Sequence, residues 1–370
     1  MMTTENTARI IANKLFLLFI LVATSLFSSG CEGSSEKIYQ IRHEFDKNIV
    51  YFPDKQWAKI ASPELAGWST IKLEEARQYS ESIHSSAVII IENGIIIAGW
   101  GEITKCYKLH SIRKSLMSAM YGIFVDQKKI HLTSTLKELH ISDIGGLSQQ
   151  EERATVRDLL TARSGVFHPA AYETEGMREK RPERDSHNPG SFWFYNNWDF
   201  NALVTIFNQE TNEDFFIQFQ DKLAKPLQME QFRLQDTSYY YDPESSLHPA
   251  YLFRMSALDL ARFGLLYLRK GKWREQQIIS VDWIEQSTQK HTVINPQHPE
   301  RGYGYLWWIH EEGYYASGTG GQRLFIVPKS NVVIVHQVDT DSNTRVKSKA
   351  IWTLFDKIMQ SRNRNTHTTE

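Results

Sequence analysis

The sequence predicts an α+β fold in which a helical domain interrupts a sheet domain, and three observations predict it. Strand-like runs lie early, AVIIIENGIIIAGW at Ala87–Trp100, and return late, RLFIVPKSNVVIVH at Arg323–His336. Between them the pattern turns helical, in SLMSAMYGIFVDQ (Ser115–Gln127), TVRDLLTAR (Thr155–Arg163), FNALVTIFNQ (Phe200–Gln209) and DFFIQFQDKLAKPL (Asp214–Leu227). Strands that are interrupted by helices and then resumed point to a sheet built from both ends of the chain. With 370 residues, 41% apolar content and ten Trp, the chain can bury a large core. A formal net charge of −1 with mixed signs leaves no basic face for nucleic acid and no polybasic membrane patch.

Taken in order, the chain starts with Arg9 and Lys14 ahead of the apolar run Leu15–Phe27, then Ser28, Ser29, Gly30 and Cys31. That is the order of an export signal, and the run is shorter than the ~20 residues that cross a bilayer comfortably. The small residues ending in Gly-Cys resemble a bacterial lipobox, which would make residues 1–31 a lipoprotein signal and Cys31 the acylated residue. The product would be an exported envelope protein whose only membrane contact is that lipid. Residues 32–44 read as a polar tether, Gln40–Ser361 as the folded part and 362–370 as a polar tail. The sheet domain is expected over 45–109 plus 245–361, and the helical domain over 110–244. Cys106, the one other cysteine, then has no disulfide partner and reads as a small buried apolar residue.

Within the sheet domain, Asn93-Gly94 joins two β-branched runs, and Asn-Gly tolerates the positive φ of a tight hairpin turn. A second hairpin is expected at Pro328–Asn331. The helix after His110 carries Leu116, Met117, Ala119, Met120, Ile123 and Phe124, an apolar face that would bury it and hold its N-terminus rigidly. At that N-terminus stand Ser111 and Lys114. Residues three apart share a helix face, so a neutral lysine there could take the serine proton. The spacing alone is weak, because Ser34/Lys37, Ser69/Lys72, Ser134/Lys137 and Ser287/Lys290 have it too. Arg113 lies one step off the shared face and reads as a surface or loop contact.

Two further stretches could complete a site. PGSFWFYNNWDFN (Pro189–Asn201) contains Tyr195-x-Asn197 just before a helix, although a tyrosine there could equally be one more packed aromatic. GYYASGTGGQRLFIVP (Gly313–Pro328) is a small-residue strand entry where backbone could approach a ligand closely, or an ordinary glycine-rich turn. Between Val166 and Pro189 runs a long polar segment, Phe167–Asn188, which is either a lid or a solvated loop. If it is a lid, Tyr172 and His187 are its candidate contacts.

Together, Ser111–Lys114, Tyr195–Asn197 and the Ser-Gly-Thr-Gly-Gly strand resemble the three motifs of the serine β-lactamase and penicillin-recognising superfamily, in its class C and esterase-like branch. TVRDLLTARSGV, KPLQM, SALDLARFG and GYGYLWW follow in that family's order. PGSFWFYNNWDFN is most similar to 6-aminohexanoate-dimer-hydrolase-like carboxylesterases. The resemblance implies a mainly antiparallel sheet flanked by helices, with the site between sheet and helical domain. It implies Ser111 as acylated nucleophile, Lys114 as its base or as the partner that keeps Tyr195 deprotonated, and Tyr195 as proton relay to the leaving group. Asn197 would hold the substrate carbonyl or Lys114. With Ala316, Ser317 and Gly318 aligned to the third motif, the N–H groups of Thr319 and Ser111 would form the oxyanion hole.

β-Lactamases and peptidases have Lys or His where Ala316 stands, so a neutral or zwitterionic acyl substrate fits better than a penicillin. Arg323 either supplies the missing charge or is a solvated strand-edge arginine. No cofactor or metal is implied: there is no H-E-x-x-H or Cys/His cluster, and no G-x-S-x-G elbow of an α/β-hydrolase. The expected activity is ester or amide hydrolysis of a small acyl substrate. The alternatives are a D-Ala-D-Ala carboxypeptidase or β-lactamase, and an inactive envelope lipoprotein of the same fold.

Overall fold

Five long strands form the centre of the molecule, and the middle three are buried on both faces. In order across the sheet they are Ile95–Gly101, Ala87–Glu92, Val332–Gln337, Gln322–Val327 and Gly313–Gly318, each antiparallel to its neighbour. Tyr39–Ile41 and Ala58–Ile60 extend one edge in parallel pairing. Trp308–His310, Gly302–Tyr303 and Thr292–Val293 extend the other in antiparallel pairing, to ten strands. The computed structural model describes residues 39–41, 46 and 49–363. The expected signal, lipobox Cys31, most of the tether and all but the first two residues of the 362–370 tail lie outside them.

The strand alternation assigns each side chain to a layer. Val88, Ile90, Phe325, Val327, Val332 and Ile334 face the helices Thr70–Ser82 and Ser348–Gln360. Ile89, Ile91, Leu324, Ile326, Val333 and Val335 face the other way, into a larger cluster that also takes in Leu116, Met120, Phe124, Leu203, Phe207 and the helix Ala257–Leu268. The helices of the stretch 110–244 therefore share one core with the sheet. Gly264 lets the helix Ala257–Leu268 lie directly on that sheet, since a Cβ there would come within 2.6 Å of Val333. Among the described residues no helix is long and apolar enough to cross a membrane.

Both hairpins form as the turn chemistry predicts. Asn93 and Gly94 take φ of 51° and 87°, and the second turn closes with Asn331 at φ 57°. The helical stretches appear as Arg113–Asp126, Val156–Leu160, Asn197–Thr211 and Phe215–Phe219. The second is only five residues long, although Thr155 and Asp158 close a full capping box on it. Cys106 differs from expectation: it is half-exposed rather than buried, and partial burial pushes its thiol up to about 11.

Candidate active site

Ser111 stands at the helix start, as the sequence pattern predicts, in a short 3-10 turn, His110–Ile112, that leads into Arg113–Asp126. His110 holds a left-handed conformation, φ 48°, that non-glycine residues seldom adopt. Its ring is bracketed on both sides, with Nδ1 3.0 Å from the Tyr172 hydroxyl and Nε2 2.8 Å from Thr340 Oγ1. Behind the turn the helix is locked by its buried apolar face. Ser115 Oγ donates to the Leu306 carbonyl at 2.8 Å and Tyr121 Oη to the Leu203 carbonyl at 2.7 Å. The nucleophile position is therefore over-determined from both sides.

Lys114 is buried, 2% exposed, with Nζ 2.8 Å from Ser111 Oγ. Burial, reinforced by the neighbouring Arg113 cation, pushes its amine well below the usual lysine range. Its Nζ also lies 4.9 Å from the ring centres of Tyr195 and Phe200, and aromatic faces favour a cation. That attraction amounts to about 0.5–2 kcal/mol and opposes the effect of burial, which disfavours the charged amine. A neutral amine can accept the serine proton.

Tyr195 is placed by its neighbours on both sides in sequence. Phe194 N–H donates to the Ala162 carbonyl at 3.0 Å. Asn196 caps the helix Asn197–Thr211 by accepting from Trp198 N–H at 3.2 Å, and its amide donates to the Val166 carbonyl at 2.6 Å. The ring packs on Phe200, Trp308 and Tyr303, at centroid separations of 4.9, 5.4 and 6.2 Å. Burial pushes the phenol up to about 12, against the opposing pull of the Ser111 hydroxyl and the Arg113 and Arg323 cations. Burial thus keeps Tyr195 in its proton-donating form at neutral pH and pushes Lys114 toward its proton-accepting form.

The glycine-rich strand reaches this pair because glycine permits it. A Cβ on Gly318 would stand 2.3 Å from the Leu109 carbonyl oxygen, immediately ahead of the Ser111 turn. Thr319–Gly321 then turn sharply, with Gly320 at φ 84°. His336 Nδ1 lies 2.7 Å from the Gly321 carbonyl and Nε2 2.7 Å from Ser85 Oγ. A carbonyl only accepts, so Nδ1 carries the proton and the serine donates to Nε2. Burial holds the His336 ring neutral, lowering it to about 4, which fixes that tautomer and the turn it supports.

Ser111, Tyr195, Ser317, Gly318 and Thr319 line one cavity of about 330 Å³. Thr174 and Met177 of the Phe167–Asn188 segment form one wall, and Trp308 and Arg323 also line it. The segment is tied down by an Arg181–Glu173 pair, by Arg184 to Glu151 at 2.8 Å and by Gln150 to the His187 carbonyl at 3.0 Å. Of its two candidate contacts, Tyr172 stands just behind the cavity, bonded to His110. His187 stacks on Phe192 at 4.0 Å and is not part of the lining. Asn197 is buried; its amide donates to the Tyr172 carbonyl at 2.7 Å, and its Oδ1 has no partner among the described residues.

Two arginines are placed otherwise than a solvated side chain would be. Arg323 is 7% exposed, with Nη1 2.8 Å from the Gln322 carbonyl and Nη2 3.1 Å from Ser348 Oγ. Arg113, expected at the surface, is 1% exposed. Neither position is marked by spacing; each is buried by chain segments far away in sequence. Trp308, the lining aromatic besides Tyr195, lies inside GYGYLWW, a stretch the sequence marked without singling out that residue.

No curated protein sequence matches the chain. Among solved structures it is similar to a provisionally named 6-aminohexanoate-dimer hydrolase from Bacillus anthracis, at 19% identity and TM-score 0.61, covering 86% of this chain and 88% of that one. The octameric penicillin-binding protein homologue from Pyrococcus abyssi gives 19% identity and TM-score 0.55, covering 77% and 76%. EstCE1, a hydrolase with promiscuous acyltransferase activity, gives 15% and 0.56, covering 78% and 97%. At these identities the likeness establishes the shared fold. The β-lactamase family model matches residues 71–354, a span that holds all three motifs. The chain therefore belongs to the β-lactamase family, whose fold and serine-hydrolase character the sequence motifs had pointed to.

Proposed function

We propose that this chain hydrolyses ester or amide bonds of a small acyl substrate through an acyl-enzyme on Ser111. The observation that carries the reading is the 2.8 Å contact between Ser111 Oγ and the buried Lys114 amine, beside a Tyr195 phenol on the same cavity. Ser111 Oγ attacks the carbonyl carbon while its proton passes to Lys114 Nζ. The oxyanion is held by the N–H groups of Ser111 and Thr319. Tyr195 then donates its proton as the carbon–oxygen or carbon–nitrogen bond breaks, and the leaving group departs as alcohol or amine. Protonated Lys114 returns a proton to the Tyr195 phenolate. Water repeats the cycle on the acyl ester, releasing the acid and restoring the Ser111 hydroxyl.

The cavity also favours a particular substrate class. Among the described residues Arg323 is the one charged side chain in its lining, and the phenols of Tyr315 and Tyr195 are the anion-forming groups that act on it. A carboxylate on the acyl or leaving group would complete that guanidinium, which a neutral substrate would leave unpaired. A zwitterionic or carboxylate-bearing substrate is thus favoured, and the β-lactamase or D-Ala-D-Ala carboxypeptidase reading keeps a cation despite Ala316.

The test is labelling by a fluorophosphonate. Wild-type protein should label once, at Ser111, and Ser111→Ala should not label at all. Lys114→Ala and Tyr195→Phe should stay folded and lose on the order of 10²–10⁴-fold in ester turnover. Wild-type protein that fails to label, or Ser111→Ala that still labels, sinks the reading. Export and lipidation at Cys31 remain a separate proposal from the N-terminal sequence, checked by whether palmitate incorporation is lost in Cys31→Ser.

A further inference from the structure

We propose that Arg113 is a positioning residue for this reaction: an unneutralised, buried guanidinium that keeps the adjacent Lys114 amine in its proton-accepting form. The inference rests on the serine-hydrolase reading for its purpose, but its physical content can be tested without it.

Consecutive helix positions point about 100° apart, so two adjacent basic residues ordinarily send at least one side chain to water. Here both are buried, Arg113 at 1% and Lys114 at 2% exposure. Burying two like charges side by side is unfavourable unless an acid joins them or one of them gives up its proton. No acid joins them. The Arg113 guanidinium lies over the Tyr251 ring at 4.4 Å and toward the Tyr172 ring at 5.9 Å. Its Nη2 reaches Asn201 Oδ1 at 3.4 Å, and its Nε and Nη1 have no acceptor among the described residues. Asp199, on the same helix as Asn201, accepts from Ser164 Oγ at 2.5 Å and from the Asn196 amide at 3.0 Å through Oδ1; its buried Oδ2 has no hydrogen-bond partner among the described residues, Arg113 and Lys114 included.

A guanidinium does not lose its proton in a protein, whereas an ammonium can. The cost of the shared burial therefore falls on Lys114. Around its Nζ stand the Ser111 hydroxyl and the faces of Tyr195 and Phe200, and the neighbouring Arg113 charge acts on it; among the described residues no carboxylate pairs with it. A neighbouring cation that lowers a catalytic lysine is a known way of activating one. The same charge, with Arg323, also acts on the Tyr195 phenol. It would steady the phenolate that forms when Tyr195 gives up its proton. The two tyrosine faces explain how the arginine is retained, since cation–π contact stabilises a guanidinium without neutralising its field.

The experiment has two readouts on wild type, Arg113→Met and Arg113→Lys. The first is the pH dependence of Ser111 labelling by an uncharged fluorophosphonate. Arg113→Met should move the acidic limb to higher pH and slow labelling at pH 7 about ten-fold, while the rate on the alkaline plateau stays near wild type. Arg113→Lys, which keeps a charge, should restore most of the pH 7 rate. A limb unmoved in Arg113→Met, with or without a lower plateau, would overturn the proposal and leave Arg113 a packing residue. The second readout follows the Lys114 amine by NMR titration of 13C-lysine-labelled Ser111→Ala protein, with and without Arg113→Met. The Lys114 resonance should titrate at lower pH when Arg113 is present; equal titration overturns the proposal. This second measurement needs no hydrolysis, so a protein that never labels would defeat the enzymatic reading while still deciding the role of Arg113. If Arg113→Met does not fold, Arg113→Gln, which keeps a side chain able to pair with Asn201, replaces it.

Discussion

A serine hydroxyl becomes a nucleophile when something nearby can hold its proton, and at the residue scale that is what the neighbourhood of Ser111 provides. Lys114 is made a base by burial, and Tyr195 an acid by the same cause, so one dry environment pushes the two groups in opposite and complementary directions. The pair was legible in the sequence because its spacing is local. Two of the other pairs of equal spacing resolve into structural roles: Ser69 caps a helix, accepting from Lys72 N–H, and Ser287 Oγ donates to the Ile284 carbonyl; Ser34/Lys37 lies outside the described residues. Arg113 was not legible as a site residue, and Arg323 only as one of two alternatives, since what buries them comes from residues such as Tyr172, Tyr251 and Ser348, scattered along the chain. Arg323 makes a prediction at this scale. Esters carrying an acyl carboxylate should exceed their neutral isosteres in kcat/KM by about ten-fold or more, as a charge-assisted bond to a fixed guanidinium allows. Arg323→Gln should collapse that ratio and Arg323→Lys should keep part of it; a ratio near one in wild type would remove Arg323 from substrate selection.

At the scale of elements, the site is assembled by three close approaches, and two of them depend on glycine. Gly122 lets the nucleophile helix lie against Trp283, where a Cβ would come within 2.4 Å of the ring. Gly318 lets the third-motif strand lie against Leu109, ahead of Ser111. The third approach is the capped start of the helix Asn197–Thr211, which carries Tyr195 in with it. Gly318→Ala should therefore separate the strand from the Ser111 turn, costing about 1–3 kcal/mol of stability and most of the turnover. Denaturant unfolding and ester kinetics on the one variant measure both, and a variant with wild-type kinetics would contradict this account of the strand. Period-two and helical patterns made both hairpins and the buried nucleophile helix readable. They could not reveal that Ser111 precedes the helix proper, because that tighter turn is imposed by contacts of His110 with Tyr172 and Thr340. Nor could pattern distinguish a wall from a free loop at Phe167–Asn188, whose order comes from ion pairs with Glu151 and contacts with Gln150, both outside the segment.

At the scale of the whole molecule, the sheet is a partition between two apolar layers, and the site opens where its glycine-rich strand meets the helices. The sequence carried the class of this fold through its strand–helix–strand order and its motifs, but not the sharing of one core between helices and sheet. Burial of neutral histidines gives the folded state an acid limit. His336 and His110 are both lowered by burial, to about 4, below the unfolded value near 6.5. Their contribution is complete above that unfolded value and is lost as pH falls toward 4, because the unfolded chain then binds the protons first. For His336 alone this amounts to on the order of 3 kcal/mol. Urea unfolding should show stability falling between pH 6.5 and pH 4, and less steeply in His336→Gln; a flat profile would mean these rings are solvated.

The central claim is the covalent step at Ser111, and it is tested most directly by mixing wild-type protein with an activated ester, quenching in acid and weighing the products by mass spectrometry. The account predicts one acyl group per chain, mapped to the peptide containing Ser111, formed quickly in wild type, slowly in Lys114→Ala and not at all in Ser111→Ala. Hydrolysis with no adduct on that peptide under conditions where deacylation is slow, or an adduct that maps elsewhere, would contradict it.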